Sequence, residues 1–335
     1  MNVGLTLGKF APLHKGHQFL IETALSEMDE VVIVIYDCPE TTDVPLNVRS
    51  QWLRDLYPGV HVIEAWDGPT EVGDTPEIRN RHEDYILDRL RIGGVTHFYS
   101  SEFYGEHMSR ALRAVNRLVD RERAAVPISG TAVRQSPFAF REYLDPRVYR
   151  DLVTNVVFLG APSTGKTTLA CRMAQEYQTV WMPEYGREYW EKHQVERRLS
   201  LDQLAQIAEG HREREEDLLY RADRYLFTDT NATTTYLFSR HYHGAATDRL
   251  VARAAEAAAR YDVVFVCDTD IPYEDTWDRS GDVSRQAFQK HVIADLIVRK
   301  IPFFPVRGDL DARVRRVKQV LDKHHKYRNL VSGIE

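Results

Sequence analysis

The sequence is poor in the residues that would staple, span or unfold it. Only three cysteines, Cys38, Cys171 and Cys267, are spread over 335 residues, with no C-x-x-C pair and no histidine at a zinc-like spacing. This argues against a disulfide framework or structural zinc and leaves the thiols reduced and structural. No apolar run approaches the roughly 20 residues of a bilayer span. Met1 leads straight into strand-like Val3–Leu7 with no basic and then apolar leader, so a cytoplasmic protein without a membrane partner is expected. Basic charge is not in excess: the formal net charge is -6. That disfavours a nucleic-acid partner, which needs a cationic face to displace phosphate counterions, and leaves small phosphorylated ligands open. No solenoid repeat or low-complexity tract is present. His241 and His243 stand at i,i+2, a spacing that does not share a helix face, and read as solvated loop histidines rather than metal ligands.

What is present is a folded two-domain composition, 43% hydrophobic and 28% charged with both signs interspersed. Strand-like and helix-like segments alternate: Val3–Leu7, His17–Ser26, Val31–Tyr36, a helix from near Val48, Val60–Ala65, the helical stretch Glu77–Arg91, and Thr96–Ser100. Such alternation predicts a parallel sheet with crossover helices. After Pro127 and a turn at Ser136–Pro137 it restarts near Asp151 with strand Asn155–Leu159, helix Thr167–Glu176, and strands Arg224–Asp229 and Tyr261–Cys267. The fold class expected is α/β with two doubly wound parallel-sheet domains, residues 1–150 and 151–335. Ser200 with Gln203 marks a capping box at the start of a long helix. Its charged run Arg212–Asp217 reads as a solvated face; Arg313, Arg315, Arg316 and Lys318, on a helix from Leu310 toward His325, could contact phosphates but read more simply as exposed.

Gly160 to Thr167, G-A-P-S-T-G-K-T, matches the phosphate-binding pattern G-x-x-x-x-G-K-[ST] between an apolar strand and a helix. A chance match in a chain this long is expected at about the 1% level before that context is counted. Gly160 and Gly165 let the backbone curl so that amides, including those of Ser163 and Thr164, face phosphates at a helix N-terminus, with Thr168 following. Lys166 reaches the β- and γ-phosphates of ATP, and the Thr167 hydroxyl binds Mg2+. Asp229, ending an apolar strand, is the acid expected to share that Mg2+, with a turn cap as its plainer alternative. Arg279, in the polar stretch Asp268–Ser280, could stabilise charge on a transferring phosphoryl group.

Near the N-terminus, Leu7-Gly8-Lys9-Phe10-Ala11-Pro12-Leu13-His14-Lys15-Gly16-His17 joins the first strand to the first helix, where phosphates bind in doubly wound sheets. The string resembles the H-x-G-H signature of the nucleotidyltransferase superfamily, Rossmann-like domains in which both histidines contact ATP phosphates. A second signature of that superfamily, I-S-x-x-x-x-R, is matched by Ile128-Ser129-Gly130-Thr131-Ala132-Val133-Arg134, about 110 residues on. Lys9, His14, His17 and Arg134 are the catalytic candidates on this resemblance, with Gly8, Phe10, Ser129 and Thr131 beside the ATP. Attack on the α-phosphate asks for positioning and donors rather than a covalent nucleophile.

An H-x-G-H domain followed by a P-loop domain is similar to the NadR family of bifunctional nicotinamide mononucleotide adenylyltransferase and ribosylnicotinamide kinase. Ser100-Ser101-Glu102, Asp120, Arg123, Glu184-Tyr185-Gly186-Arg187-Glu188 and Thr228-Asp229-Thr230 add to the likeness. It implies ATP, nicotinamide mononucleotide and nicotinamide riboside as small-molecule substrates, with a homo-oligomer compatible. It places Glu184, Tyr185 and Arg187 by the riboside or the transferred phosphoryl group, and Trp66 against the pyridine ring, although a large aromatic is as often core. The helix-turn-helix of some members is not expected, because the first catalytic strand begins at Val3. Where some relatives place a second acid after the Walker B aspartate, this chain has Asn231, so Asp229 serves alone or with Glu184. Two other readings keep the two-domain pattern: a fused phosphopantetheine adenylyltransferase and dephospho-coenzyme A kinase, and a nucleotide-sensing regulator without turnover.

Overall fold

The computed structural model describes residues 1–196, 199–273 and 282–327, and they fall into two compact units, Met1–Tyr149 and Arg150–Lys326. In the first, the order is β1 (Val3–Gly8), α1 (Lys15–Glu27), β2 (Glu30–Tyr36), α2 (Leu46–Leu56), β3 (His61–Ala65), α3 (Pro76–Asp84), β4 (His97–Ser100), α4 (Gly105–Leu112), β5 (Val115–Leu118) and α5 (Gly130–Gln135), before α6 (Pro146–Leu152) leads out. Its five strands run parallel in the order β3-β2-β1-β4-β5. Leu5, Val34, Ala65, Phe98 and Met108 form its core. The expected helix Glu77–Arg91 is α3 followed by a π-helical turn, Tyr85–Arg89.

The second unit runs β6 (Thr154–Leu159), α7 (Lys166–Glu176), β7 (Trp181–Met182), α8 (Tyr185–His193), α9 (Leu201–Arg221), β8 (Tyr225–Asp229), α10 (Ala232–His243), α11 (Asp248–Ala258), β9 (Val263–Cys267), α12 (Asp282–Val298), β10 (Phe304–Val306) and α13 (Leu310–Leu321). The sheet order is β10-β9-β6-β8-β7, again parallel. A sheet covered on both faces buries every residue of a central strand, which is why β9 is apolar throughout and β6 and β8 are apolar except at one end. Along β6, Val156 and Phe158 belong to one core with α7 and α13, while Val157 and Leu159 belong to another with Phe288, Val292 and Leu296 of α12.

Both sheets share one feature that decides where ligands can sit. The first strand of each unit is central, with the chain winding to one side and then to the other, so β1 and β6 flank topological switch points. The crevice beyond the carboxyl ends of the strands opens there.

Several expectations are corrected. The run Arg212–Asp217 is not wholly solvated: Glu215 is fully buried, because α9 presents it to Asn155, Arg260 and Tyr261. Arg313 is 2% exposed rather than a surface charge. His241 and His243 lie on the last turn of α10, which Asn231 caps at one end and Gly244, at φ 66°, closes at the other. The short strands β5, β7 and β10 escape sequence reading because each is an edge of two to four residues, too short to show a period.

Candidate functional sites

The loop after β1 carries the H-x-G-H string into α1, and His14 is itself the N-cap. Its Nδ1 accepts from Gly16 N at 3.1 Å, and His17 Nδ1 accepts from His14 N at 3.3 Å. The two rings stack with centroids 3.7 Å apart. With both Nδ1 atoms accepting, each neutral ring carries its proton on Nε2 and can donate there. Burial, then the charges of Arg123 and Arg134, pushes the His14 pKa down to about 4. Burial, then His14 and the same two arginines, drives His17 well below its ordinary value. The histidines are therefore neutral donors, and the positive charge comes from the arginines. Space at Gly16 is tight: a Cβ there would stand 3.0 Å from His14 Cε1 and press on that ring.

The two N-terminal motifs, distant in sequence, meet. Ser129 caps α5 by accepting from Ala132 N at 3.2 Å, and Arg134 on that helix donates from Nη1 to Ala11 O at 2.6 Å and from Nη2 to Thr131 Oγ1 at 3.1 Å. His14 Nε2 lies 3.8 Å from where a Gly130 Cβ would be, so α5 faces the histidine donors. Phe10, 2% exposed and at φ 44°, packs its ring on Gly8 and edge-on to His17 at 5.0 Å. Asp120 accepts Ala125 N and Val126 N at 3.0 and 2.9 Å, shaping the loop that precedes α5.

Lys9 is engaged elsewhere, its Nζ donating to Glu40 Oε1 at 2.6 Å and Thr41 Oγ1 at 3.0 Å. Trp66 is 56% exposed and donates from Nε1 to Glu64 Oε2 at 2.9 Å, which removes the core reading of this ring. Sequence reasoning missed Arg49. It is fully buried and donates to Lys9 O, Tyr36 O at 3.0 Å and Val44 O at 2.9 Å, fixing the motif loop to the end of β2. The signal was its place between Leu46 and Leu53 on the apolar stripe of α2, where a lone cation must find buried acceptors.

In the second unit the loop after β6 has Gly160 at φ 141°, Ser163 at 55° and Gly165 at 76°. A Cβ on Gly160 would stand 2.7 Å from Cys267 O, so glycine is needed for dihedral and space alike. Lys166 Nζ and Thr164 Oγ1 both donate to Ala161 O at 2.8 Å. Thr167 Oγ1 donates to Asp229 Oδ2 at 2.5 Å, because pairing of β6 with β8 sets Asp229 opposite Phe158 beside the loop. Thr168 is exposed. Asp229 is fully buried and its Oδ1 has no hydrogen-bond partner. Burial, then the charge of Glu184, raises its pKa to about 6 against the pull of Lys166.

Glu184 precedes α8 and lies 3.5 Å from Arg187 Nη2; the influence of both on Asp229 brings the E-Y-G-R-E string to the P-loop acid. Tyr185, the first residue of α8, instead packs against α9, its ring under Arg214 at 4.1 Å and against Gly210. Asn231, not Asp229, is the cap: its Oδ1 accepts from Thr233 N at 3.0 Å and Thr234 N at 3.4 Å. Arg279 lies outside the described residues. Among the described residues no cluster of three or more His, Cys, Asp or Glu is set to hold a metal, and no helix is long and apolar enough to cross a membrane.

These two sites define a nucleotidyltransferase-type α/β unit fused to a P-loop nucleotide-binding unit. Residues 5–136 match the family described as cytidylyltransferase-like, and residues 155–313 match the AAA domain family. The trifunctional NAD biosynthesis/regulator protein NadR of Salmonella typhimurium is 29% identical over 343 residues, covering 96% of this chain and 82% of that protein. Its Escherichia coli counterpart is 27% identical over 362 residues, covering 95% and 82%. Among solved structures, a NadR protein in complex with NAD and AMP-PNP aligns at TM-score 0.57 with 21% identity, covering 98% of each chain. A NadR protein in complex with NR aligns at 0.56 with 22% identity, covering 98% and 96%. The chain is thus similar to NadR proteins over nearly its whole length.

Proposed function

We propose that this chain is a bifunctional enzyme of NAD biosynthesis and salvage in the cytoplasm. Residues 1–150 transfer the adenylyl group of ATP to nicotinamide mononucleotide, giving NAD and pyrophosphate. Residues 151–335 phosphorylate nicotinamide riboside with ATP. The observation that carries the first activity is the convergence of α5 on the H-x-G-H loop, with Arg134 bonded to Ala11 and His14 Nε2 facing α5.

The phosphate monoester of the mononucleotide, largely dianionic at neutral pH, attacks the α-phosphorus, the bond to the β-phosphate oxygen breaks, and pyrophosphate leaves. His14 and His17, as neutral Nε2–H donors, and Arg134, as a fixed cation, stabilise the charge that gathers on the phosphoryl oxygens. No protein nucleophile is required.

In the second unit the P-loop amides and Lys166 hold the triphosphate, the riboside 5′-hydroxyl attacks the γ-phosphorus, the bond to the β-phosphate oxygen breaks, and ADP leaves. Its proton passes to Glu184, beside Asp229, so that one carboxylate takes the proton while the other stays ionised. A hydroxyl beside an otherwise unpartnered buried carboxylate oxygen is a donor set that suits a hard divalent cation. Thr167 and Asp229 are thus the residues that would hold Mg2+, which when bound supplies charge neutralisation between the phosphates.

The test is a pair of assays on purified protein, with nicotinamide mononucleotide or riboside and MgATP. His17→Ala is expected to abolish NAD formation and spare riboside phosphorylation, and Lys166→Ala to do the reverse. Absence of NAD formation by the wild-type protein, or preferential turnover of phosphopantetheine, would refute the assignment.

A further inference from the structure

Three buried side chains from α12 and α13 reach the P-loop, Gln289 at an N–H and Arg285 and Arg313 at carbonyls. Gln289 accepts from Ala161 N at 2.7 Å and donates to Cys267 O at 3.0 Å. Arg285 Nη2 donates to Ser163 O at 3.1 Å and Ile271 O at 3.0 Å. Arg313 donates from Nη1 to Thr164 O at 2.6 Å, from Nη2 to Asp268 O at 3.2 Å and Asp270 Oδ1 at 2.5 Å, and from Nε to Gly308 O at 2.8 Å. They are 6, 3 and 2% exposed respectively. Each therefore bridges one peptide group of the P-loop and one of the segment Cys267–Ile271 after β9.

Burying two guanidinium groups against carbonyl oxygens is a costly way to fill space, since apolar side chains of similar volume would avoid the desolvation. Their placement has a specific consequence. The carbonyl of Ser163 and the N–H of Thr164 belong to one amide, and the carbonyl of Thr164 and the N–H of Gly165 to the next. A cationic donor on an amide oxygen draws electrons from its nitrogen and makes its N–H a stronger donor. Those N–H groups are among the ones that cradle phosphates in a loop of this pattern. Ser163 holds a left-handed φ of 55° without being glycine, a strained conformation that turns its carbonyl outward and that the Arg285 bond stabilises.

We propose that Arg285 and Arg313 are positioning residues for the triphosphate. They hold the P-loop carbonyls outward and polarise the Thr164 and Gly165 amides toward the phosphates, while Gln289 fixes the loop's first turn. The inference rests on the P-loop being the kinase nucleotide site, so binding and turnover are measured separately.

The experiment uses the full chain with Arg313→Ala, Arg313→Lys, Arg313→Gln and Arg285→Met, and Lys166→Ala as reference. MgATP binding is followed by calorimetry and both activities by steady-state kinetics. In Arg313→Ala the kinase KM for ATP is expected to rise roughly tenfold or more, the scale of a lost charge-assisted hydrogen bond, with kcat little changed. Lysine recovers more of the affinity than glutamine does, and NAD formation in the other unit keeps its KM. Arg285→Met gives the same split. Retained hydrogen-exchange protection of β6 and β8 verifies that the unit is folded. An unchanged KM in both folded variants, a fall in kcat alone, or equal recovery by glutamine and lysine would overturn the proposal. If the wild-type protein phosphorylates no riboside, the kinase reading falls. The Lys166-dependent MgATP affinity then still decides, weakening in Arg313→Ala supporting the proposal and equality with wild type refuting it.

Discussion

Removing the carboxylate of Glu215 is expected to unfold the second unit well before the first. The side chain is fully buried. It accepts from Asn155 Nδ2 at 2.9 Å, from Arg260 Nε and from Tyr261 OH at 2.6 Å, with His211 Nε2 3.3 Å away. Burial alone would raise its pKa, but the nearby His211 ring, the Arg260 charge and the Tyr261 hydrogen bond prevail and hold it at about 2 against an ordinary 4.5. At about 1.4 kcal/mol per unit that difference is about 3 kcal/mol in favour of the charged, folded form. It agrees with the 3–5 kcal/mol typical of breaking a buried ion pair from one side. The folded pKa lies below the unfolded one, so this contribution is complete above about pH 4.5 and is lost as the pH falls toward 2. The measurement is urea denaturation of Glu215→Ala followed by hydrogen exchange in β6 and β8, with strand β1 of the other unit as internal control. Stability local to the second unit should drop by roughly 3–5 kcal/mol near pH 7. Converting Glu215 and Arg260 together to Leu and Met should recover much of it. A loss under about 1 kcal/mol, or a double variant no better than the single one, would refute the reasoning.

Three further outcomes are expected. Asp229→Asn should stabilise the nucleotide-free, metal-free second unit: with the folded pKa raised to about 6 from 3.8, the wild-type carboxylate increasingly destabilises the fold across that interval and by a constant amount above it, so a pH-independent effect in denaturant titrations would count against this. Gly160→Ala should abolish riboside phosphorylation and leave NAD formation intact, since its Cβ would stand 2.7 Å from Cys267 O; near-normal kinase turnover would contradict the loop geometry. The pH profile of kcat/KM for NAD formation should show the ionisation of the substrate phosphate at about 6 and no further group at the ordinary histidine value of 6.5, because burial and the neighbouring arginines push the His14 pKa down to about 4 and that of His17 well below its ordinary value.

Much of this molecule is local in origin. The apolar runs of β1, β2, β6, β8 and β9, the Ser200 capping box and the strand-to-helix turns at Gly8–His17 and Gly160–Thr167 follow from side-chain type and spacing over a few residues. They disclose parallel sheets, two phosphate-binding turns and the division into two units. Asp229 was visible because an acid at the end of a buried strand needs a reason to be there.

Pairings across long sequence separations were not visible. Glu215 and Arg313 lie within helical charge patterns that normally face water and Arg49 interrupts the apolar stripe of α2, and only packing supplies the partners that let each be buried. Sequence left Asp229 a turn cap as its plainer reading, and strand register removed it by directing Asp229 to Thr167. Local periodicity thus determined the elements and the turns that can meet phosphate. Tertiary structure determined which charges leave solvent, because burying a charge requires partners brought by other elements, and so it selected the side chains that surround each site.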